Sequence, residues 1–298
     1  MKICYGVFFF LFLALFSIKG CDNEPDPNEP ISFNDEVFLA AILDAGIDSN
    51  GDGKISHSEA KGITEISSSI EGRLSDLSGI EYFTDLKTLA CGMNDIEKID
   101  LSKNLKLEYL NLSHNKLSEL DVSKNVNLEV LYCHYNSIES LELPKSQSLR
   151  IVGCNVNQIK SLDVSNTPML GILACGWNNI SDLDVSNLTI LQYFNCSANE
   201  LSHIDVSRNN LLENLTIEEN EIRSLNITES LLLKVLICSS NPITSLDISN
   251  NRQLQLIHLR NMSELKDVCV WTLPFPPAGM SLYSNGSPGL HLNMDCLE

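Results

Sequence analysis

The sequence predicts an α/β solenoid, a right-handed coil whose successive turns place a parallel β-sheet on the concave face. Three observations lead to this fold class. Eight asparagines recur every 21 residues, at Asn94, Asn115, Asn136, Asn157, Asn178, Asn199, Asn220 and Asn241. Around each of them lies the same frame, L-x-x-L-x-(L/C)-x-x-N-x-L, as in LEYLNLSHNKL. The apolar residues at its centre alternate with period two, which is typical of a short strand with one inward face.

This frame resembles the leucine-rich repeat, and residues 79–265 hold about nine copies of it. One 21-residue coil cannot bury its apolar side, so a continuous core requires stacked coils. An asparagine side chain carries both an acceptor and donors, so we expect it to join the backbones of neighbouring coils in the interior. In the ninth copy, Met262 stands where the asparagine is expected.

The N-terminal residues are typical of an exported, lipid-anchored protein. Residues 1–20 contain an unbroken apolar run, Val7 to Phe16, which is too short to span a bilayer. Gly20 before Cys21 resembles a bacterial lipobox, which implies lipidation of Cys21; an ordinary secretory signal is the alternative. Residues 21–31 are acidic and proline-rich and predict an extended tether.

This acidic run resembles the surface-export signal of some Gram-negative lipoproteins, with a solvated spacer as the alternative. We therefore expect a protein of the cell envelope, lipid-anchored to the outer membrane and exposed at the surface.

The stretch DSNGDGKISHSE, residues 48–59, matches the spacing of an EF-hand calcium loop. Gly53 permits the sharp turn, Lys54 offers only its backbone carbonyl, and Glu59 offers both carboxylate oxygens. Residues 32–78 are therefore predicted to form a helical, EF-hand-like cap with one structural Ca²⁺. The expected ligands are Asp48, Asn50, Asp52, Lys54, Ser56 and Glu59.

A sensor, a docking module and a structural clip are three possible roles for such a loop. Sensors and docking modules usually present paired loops, and the sequence contains no second loop. A helical unit of this kind ahead of the repeats resembles the N-terminal caps of internalin-like proteins, which implies that it covers the first coil. The resemblance implies no ligand, because this chain differs in its period, its cysteine column and its D-V-S return segment.

Cysteines occur in two settings. Cys269 and Cys296 lie in residues 266–298, which are predicted to close the last coil as a C-terminal cap, and we expect a disulfide between them in an oxidising compartment. Six others fall on one inward position of the repeat, where a thiol replaces leucine as a small buried group. This cysteine column comprises Cys91, Cys133, Cys154, Cys175, Cys196 and Cys238.

An acidic column runs through the second half of the coils. It would either attract a cation or accept hydrogen bonds from turn N–H groups, and the second interpretation is favoured. Its members are Asp100, Asp121, Glu142, Asp163, Asp184, Asp205 and Asp247.

The outward positions of the concave strands collect aromatic and polar side chains in coils two to six. Gly153, Ala174 and Gly176 predict a shallow hollow beside Trp177. Exposed aromatic residues on a rigid wall are typical of protein hot spots and of sugar-stacking platforms. The predicted ligand-binding residues are Tyr109, Asn111, Tyr132, His134, Tyr135, Asn155, Trp177, Tyr193 and Asn195.

The function expected from these features is non-enzymatic binding of a protein or peptide by a monomer. A glycan-binding lipoprotein and a structural envelope spacer are the alternatives. The net charge of −19 disfavours nucleic acid as a partner. The six histidines are scattered, and no acid or nucleophile joins His114 and His134 at a repeat-compatible position.

Overall fold

The computed structural model describes residues 26–67 and 73–295. The predictions for the signal peptide at residues 1–20, for Cys21 and for Cys296 lie outside this part of the chain. Within it, the predicted parallel solenoid is confirmed. None of the helices in these two ranges is long and apolar enough to cross a membrane.

Short strands dominate the described chain. The helices are α1 (Glu36–Asp44) and α2 (His57–Ala60), and a 3-10 turn spans Ile80–Tyr82. The strands are β1 (Glu65–Ser67), β2 (Thr88–Ala90), β3 (Tyr109–Asn111), β4 (Glu119–Asp121), β5 (Val130–Tyr132), β6 (Ser140–Glu142), β7 (Ile151–Gly153), β8 (Ile172–Ala174), β9 (Tyr193–Asn195), β10 (Asn214–Thr216), β11 (Val235–Ile237), β12 (Ser245–Asp247), β13 (Leu256–His258), β14 (Asp267–Cys269), β15 (Ser281–Tyr283) and β16 (His291–Asn293).

One parallel sheet of eleven strands forms the concave wall, in the order β1-β2-β3-β5-β7-β8-β9-β10-β11-β13-β15. Between β2 and β13 the register advances by one repeat per coil, so that Leu89, Leu110 and Leu131 lie side by side. These middle residues are fully buried, which confirms the period-two pattern of one inward face. Smaller sheets, β4–β6 and β12–β14–β16, form where the return segments pair.

The repeated asparagines point inward and join adjacent coils, as predicted. The Oδ1 of Asn178 accepts a hydrogen bond from the Ile159 N–H at 3.0 Å. Its Nδ2 donates to the carbonyl of Cys154 in the preceding coil at 3.1 Å and to that of Cys175 in its own coil at 3.0 Å. The same three bonds recur from Asn115 to Asn241, so each side chain satisfies backbone groups that would otherwise be buried without partners.

In the turn after the ninth coil, a serine makes part of these contacts. The Met262 N–H donates to the Ser287 Oγ at 3.0 Å, and the Ser287 hydroxyl donates to the Leu259 carbonyl at 2.5 Å. Met262 itself is fully buried in the core.

The sheet reaches beyond residues 79–265 at both ends. Strand β1 lies inside residues 32–78 and β15 inside residues 266–298, where β14 and β16 extend the smaller return-segment sheet. The ends of the sheet thus pair with backbone from the two predicted caps, which leaves fewer of its N–H and C=O groups without partners.

The segment that precedes α1 packs on the loop at residues 48–59, although residues 21–31 were predicted as an extended tether. The Ile31 N–H donates to the Ile55 carbonyl at 2.7 Å, and Pro30 and Ser56 form an antiparallel bridge. Ile31 is buried because its side chain enters the core beside Ile55. The described residues 26–31 therefore pack with the residues of the predicted cap.

Candidate binding surface on the concave face and its rim

Each coil presents outward side chains from the two ends of its concave strand. The first residues of neighbouring strands lie side by side and form a strand-start column, which runs Tyr109, Val130, Ile151, Ile172 and Tyr193. The third residues form a strand-end column, which runs Asn111, Tyr132, Gly153, Ala174 and Asn195. Five of the nine predicted ligand-binding residues lie in these two columns.

A further set of outward residues lies where the chain turns away from the sheet. We call this set the rim, and every member has a positive φ, between 49° and 60°. Its members are Met93, His114, Tyr135, Val156, Trp177, Ala198, Glu219, Ser240 and Asn261. The predicted residues Tyr135 and Trp177 thus lie on the rim and not on a strand.

Aromatic rings cluster in the first coils. The ring centroids of Tyr109 and Tyr132 are 6.3 Å apart with an edge-on orientation, and Tyr132 and His134 stack at 5.7 Å. On the rim, His114 and Tyr135 stack at 4.3 Å with an interplanar angle of 11°. These contacts hold the rings in fixed orientations while leaving Tyr135 exposed.

His134 fills part of the predicted hollow. A Cβ at Gly153 would lie 2.2 Å from its Nε2, so the absence of a side chain at Gly153 admits the imidazole ring. The His134 Nδ1 accepts a hydrogen bond from the Asn155 N–H at 3.0 Å. Burial, with repulsion from His114 as the smaller cause, holds the pKa of His134 below its usual value, which favours the neutral ring.

The predicted asparagines are engaged within the wall. The Asn155 Oδ1 accepts from the Gly176 N–H at 2.7 Å, and the Asn195 Oδ1 accepts from the Ser197 N–H and hydroxyl. The Asn111 Oδ1 accepts from the Ser113 N–H. Their side-chain oxygens therefore already accept hydrogen bonds from groups of the wall.

Sequence reasoning left out Val130 and Ile172, which complete the apolar strand-start column between Tyr109 and Tyr193. Ile172 is exposed, and Val130 is half-buried. The alternation of the repeat is the signal that could have identified them, because both precede the buried leucine of their strand.

A second cluster at the far end of the sheet was also missed. The Arg260 guanidinium lies 4.7 Å from the centroid of the Tyr283 ring, and the His258 ring meets the same tyrosine at 4.8 Å. Tyr283 lies in β15, inside the segment predicted to be a cap, so the frame of the repeat did not place it on this face.

The loop at residues 48–59 is closed by its own side chains. Asp48 accepts hydrogen bonds from the N–H groups of Gly51 and Gly53, and Asn50 and Asp52 each accept from the N–H two residues later. These bonds orient side-chain oxygens around a tight turn, and oxygen donors of this kind suit Ca²⁺.

Glu59 faces backbone groups in this structure. One carboxylate oxygen accepts from the N–H groups of Ser49 and Asn50 and the other from the N–H and hydroxyl of Ser56, which caps α2. These bonds, led by those from Ser56, lower the pKa of Glu59 to about 2. Across residues 26–67 and 73–295, no group of three or more His, Cys, Asp or Glu side chains is gathered in a way that could hold a metal ion.

A family model for Leucine Rich repeats (2 copies) matches residues 105–145. These residues contain β3 to β6, in the N-terminal half of the regular coils. The fold is a leucine-rich-repeat solenoid.

Solved structures with similar folds come from several organisms. The functional domain of InlJ from Listeria monocytogenes, which includes a cysteine ladder, has 29% sequence identity and a TM-score of 0.76. The match covers 89% of this chain and 63% of that chain, so the present chain spans less than two thirds of the InlJ domain. The two chains share the leucine-rich-repeat solenoid fold.

Two more distant structures share the fold. The ectodomain of an Arabidopsis thaliana receptor kinase, in complex with Casparian strip integrity factor 2, has 20% identity and a TM-score of 0.64 over 79% of this chain and 34% of that one. YopM from Yersinia enterocolitica has 23% identity and a TM-score of 0.56 over 77% of this chain and 52% of that one. No curated protein matches the chain significantly. Leucine-rich-repeat proteins generally mediate protein–protein interactions and are typically not enzymes.

The cysteine column lies inside the solenoid, in the leucine position of the repeat. All six side chains are fully buried. Burial raises the pKa of Cys154 and of Cys238 to about 12, and raises that of Cys133 well above its usual value. Cys269 is disulfide-bonded, while its predicted partner Cys296 lies outside the described residues.

The acidic column of the solenoid stabilises turns. The Oδ1 atoms of Asp100, Asp121 and Asp184 each accept from the N–H of the serine two residues later, at 2.8 Å. The side chains therefore serve the backbone of the return segments, as the favoured interpretation expected.

Proposed function

We propose that this solenoid is a surface-anchored, non-enzymatic binding protein that holds a protein or peptide partner on its concave face. The strand-start column from Tyr109 to Tyr193 carries this proposal. It presents five apolar or aromatic side chains in a row on a rigid parallel sheet, and none of them is fully buried. Such a row offers a partner large contact area with little loss of side-chain entropy.

Selection of peptides from a random phage-displayed library against the full chain tests this function. We expect enriched peptides whose affinity falls by about tenfold or more when Tyr109 and Tyr193 are both changed to alanine. Leu231→Ala is the matched control, because Leu231 is 51% exposed but belongs to a return segment. Equal loss with the control, or no loss with the tyrosine pair, would contradict concave-face binding.

A glycan is the second candidate ligand. Trp177 is 48% exposed and the stacked pair His114–Tyr135 lies two coils away, so the rim offers flat rings to a sugar. Binding on a glycan array that is lost in Trp177→Ala, with no peptide selected, would favour this candidate over a peptide. If neither library yields a ligand, a structural envelope spacer explains the molecule better.

Lipid anchoring at Cys21 and surface exposure complete the proposal. The apolar run before Cys21 and the acidic stretch after it support this localisation. Metabolic labelling with a radioactive fatty acid should mark the wild type and not Cys21→Ser. Protease treatment of intact cells should remove the solenoid if it faces outward.

We also propose that the loop at residues 48–59 binds one structural Ca²⁺. The oxygens of Asp48, Asn50 and Asp52, the Lys54 carbonyl and the Ser56 hydroxyl would hold it, and Glu59 would complete the set by exchanging the Ser49 and Asn50 N–H groups for the ion. The bound ion would fix the cap against the first coil, because the same loop pairs with residues 30–31.

Thermal unfolding with and without calcium tests this site. At about 10 mM Ca²⁺, roughly ten times the upper end of the extracellular Kd range, we expect a rise in Tm corresponding to about 1.4 kcal/mol. Glu59→Gln should abolish the rise, while Glu65→Gln, an exposed carboxylate in β1, should leave it unchanged. A wild-type Tm that calcium does not alter would remove the metal from the proposal.

A further inference from the structure

The rim has a backbone conformation that the solenoid requires. In each coil the rim residue donates its N–H to the next coil, as Met93 does to the Ser113 carbonyl at 2.8 Å and Trp177 to the Ser197 carbonyl at 2.7 Å. A positive φ turns the chain away from the sheet while keeping these hydrogen bonds between neighbouring coils. Glycine and asparagine adopt such a φ most readily, and bulky side chains adopt it at a cost.

The residue types on the rim do not follow this backbone preference. The last three coils carry Glu219, Ser240 and Asn261, which are polar. The first six, which we call the N-terminal rim, are bulkier or apolar: Met93, His114, Tyr135, Val156, Trp177 and Ala198. Met93 is 77% exposed, Tyr135 51% and Trp177 48%, so burial does not compensate for their backbone strain. The stability of the fold therefore does not explain why bulky or apolar side chains occupy these positions, whereas a role in binding does.

A basic cleft lies at the start of the N-terminal rim. Arg73 and Lys116 both contact the same Asp95 Oδ1, each at 3.1 Å, so two cations share one carboxylate. Both basic side chains are mostly exposed. Met93, His114 and Tyr135 line the same cleft, which places apolar and aromatic groups beside the surplus positive charge.

The charge of the cleft is opposite to that of the whole chain. The protein carries a net charge of −19, which repels an acidic segment from most of its surface. Arg73 and Lys116 share only the carboxylate of Asp95, so one positive charge of the cleft is not neutralised. A carboxylate from a partner could pair with this charge beside the rings of His114 and Tyr135. Charge thus selects both the chemistry of the partner and its orientation along the rim.

We propose that the N-terminal rim binds a hydrophobic segment of a partner protein that has an acidic residue at one end. The carboxylate lies between Arg73 and Lys116, and the apolar side chains lie along Met93, Tyr135 and Trp177. Six positions at about 4.8 Å per coil span about 24 Å, the length of roughly seven extended residues. This proposal rests on the protein-binding function above and defines the chemistry of the partner.

Peptides selected from the random phage-displayed library test the proposal on the full chain. We expect enriched sequences to place Asp or Glu beside apolar residues, and we expect Lys116→Glu to weaken their binding by about tenfold or more. Lys124→Glu makes the same charge change on an exposed return-segment lysine and should have no effect. Binding to the wild type should also weaken as salt is raised.

A second variant separates loss of binding from loss of folding. Trp177→Asn removes the indole ring and installs a residue that suits a positive φ, so it should raise the unfolding midpoint while weakening peptide binding. Enriched peptides without an acidic bias, or binding that Lys116→Glu and Trp177→Asn leave intact, would overturn the rim proposal. If such peptides still depend on Tyr109 and Tyr193, the concave-face function stands and only the rim proposal fails. An N-terminal rim that binds glycans and no peptide would also overturn it.

Discussion

On the concave side, a contact with one neighbouring side chain can explain which residue type occupies a position. Gly153 has no side chain because the His134 ring occupies the space where a Cβ would lie. The Nδ1 of this ring accepts a hydrogen bond from the Asn155 N–H, and the Asn155 Oδ1 accepts one from the Gly176 N–H. The hollow predicted from Gly153, Ala174 and Gly176 is therefore partly filled by the imidazole ring of His134.

Met93 provides a test of backbone strain at this scale. Its φ of 60° costs a non-glycine residue about 1–2 kcal/mol, and its side chain is 77% exposed. Met93→Asn should therefore stabilise the protein by about 1 kcal/mol, measured as a shift in the urea midpoint. Leu105→Asn is the control, because Leu105 is 50% exposed and does not have a positive φ. Equal shifts in both variants would argue against strain at Met93.

At the scale of the coil, the repeated asparagines from Asn115 to Asn241 form a ladder of hydrogen bonds that joins neighbouring coils. Each ladder asparagine serves one N–H and two carbonyls across two coils, which no apolar side chain of the same size can do. On the return side, Asn104, Asn125, Asn209 and Asn251 form a partial second ladder, each donating to two carbonyls of the preceding coil. Their Oδ1 atoms are buried without a hydrogen-bond partner, so this ladder satisfies fewer groups.

Asn178→Ala tests the ladder. The variant leaves the Ile159 N–H and the carbonyls of Cys154 and Cys175 without this partner, at about 1–3 kcal/mol for each group left buried and unsatisfied. We expect a total loss of about 3 kcal/mol or more in the free energy of unfolding. Asn187→Ala, which removes one exposed bond to the Ser165 carbonyl, should change it by less than about 0.5 kcal/mol. A small loss in Asn178→Ala would show that the coils stack without the ladder.

Within residues 26–67 and 73–295, the predicted caps and the coils share one hydrophobic cluster. Ile31 and Phe38 from the cap belong to the same cluster as the coil residues up to Val270. The cysteine column runs through its interior, so thiol chemistry reports on unfolding of the stack as a whole.

Alkaline stability tests this burial. Folded Cys154 and Cys238 have pKa values of about 12 against an ordinary value of 9.0, so the folded protein keeps these protons while the unfolded chain releases them. The contribution of these thiols to stability is therefore constant below about pH 9 and falls as pH rises above it, by about 1.4 kcal/mol per pH unit for each such thiol. Cys154→Ala should reduce this slope by one thiol. Iodoacetamide should label the column thiols only in denaturant, as mass spectrometry can show, and labelling of the folded protein would contradict their burial.

The sequence alone determined the solenoid, its inward leucines and cysteines and the ladder asparagines, because a strict 21-residue period leaves one way to bury every coil. It also predicted which side of each strand faces outward, so Tyr109, Tyr132 and Tyr193 could be placed on the concave wall. Its predictions for the calcium ion, the lipid and the disulfide partner remain predictions.

Only the tertiary structure decided where the irregular parts go. It placed Tyr135 and Trp177 on the rim, filled the space over Gly153 with His134, and brought Arg73 beside Lys116 around Asp95. It also packed Ile31 against the loop and added strands from both caps to the sheet. A periodic pattern specifies the neighbours of a residue within the repeat, whereas contacts of the caps, the turns and the long side chains depend on distances across coils that no period encodes.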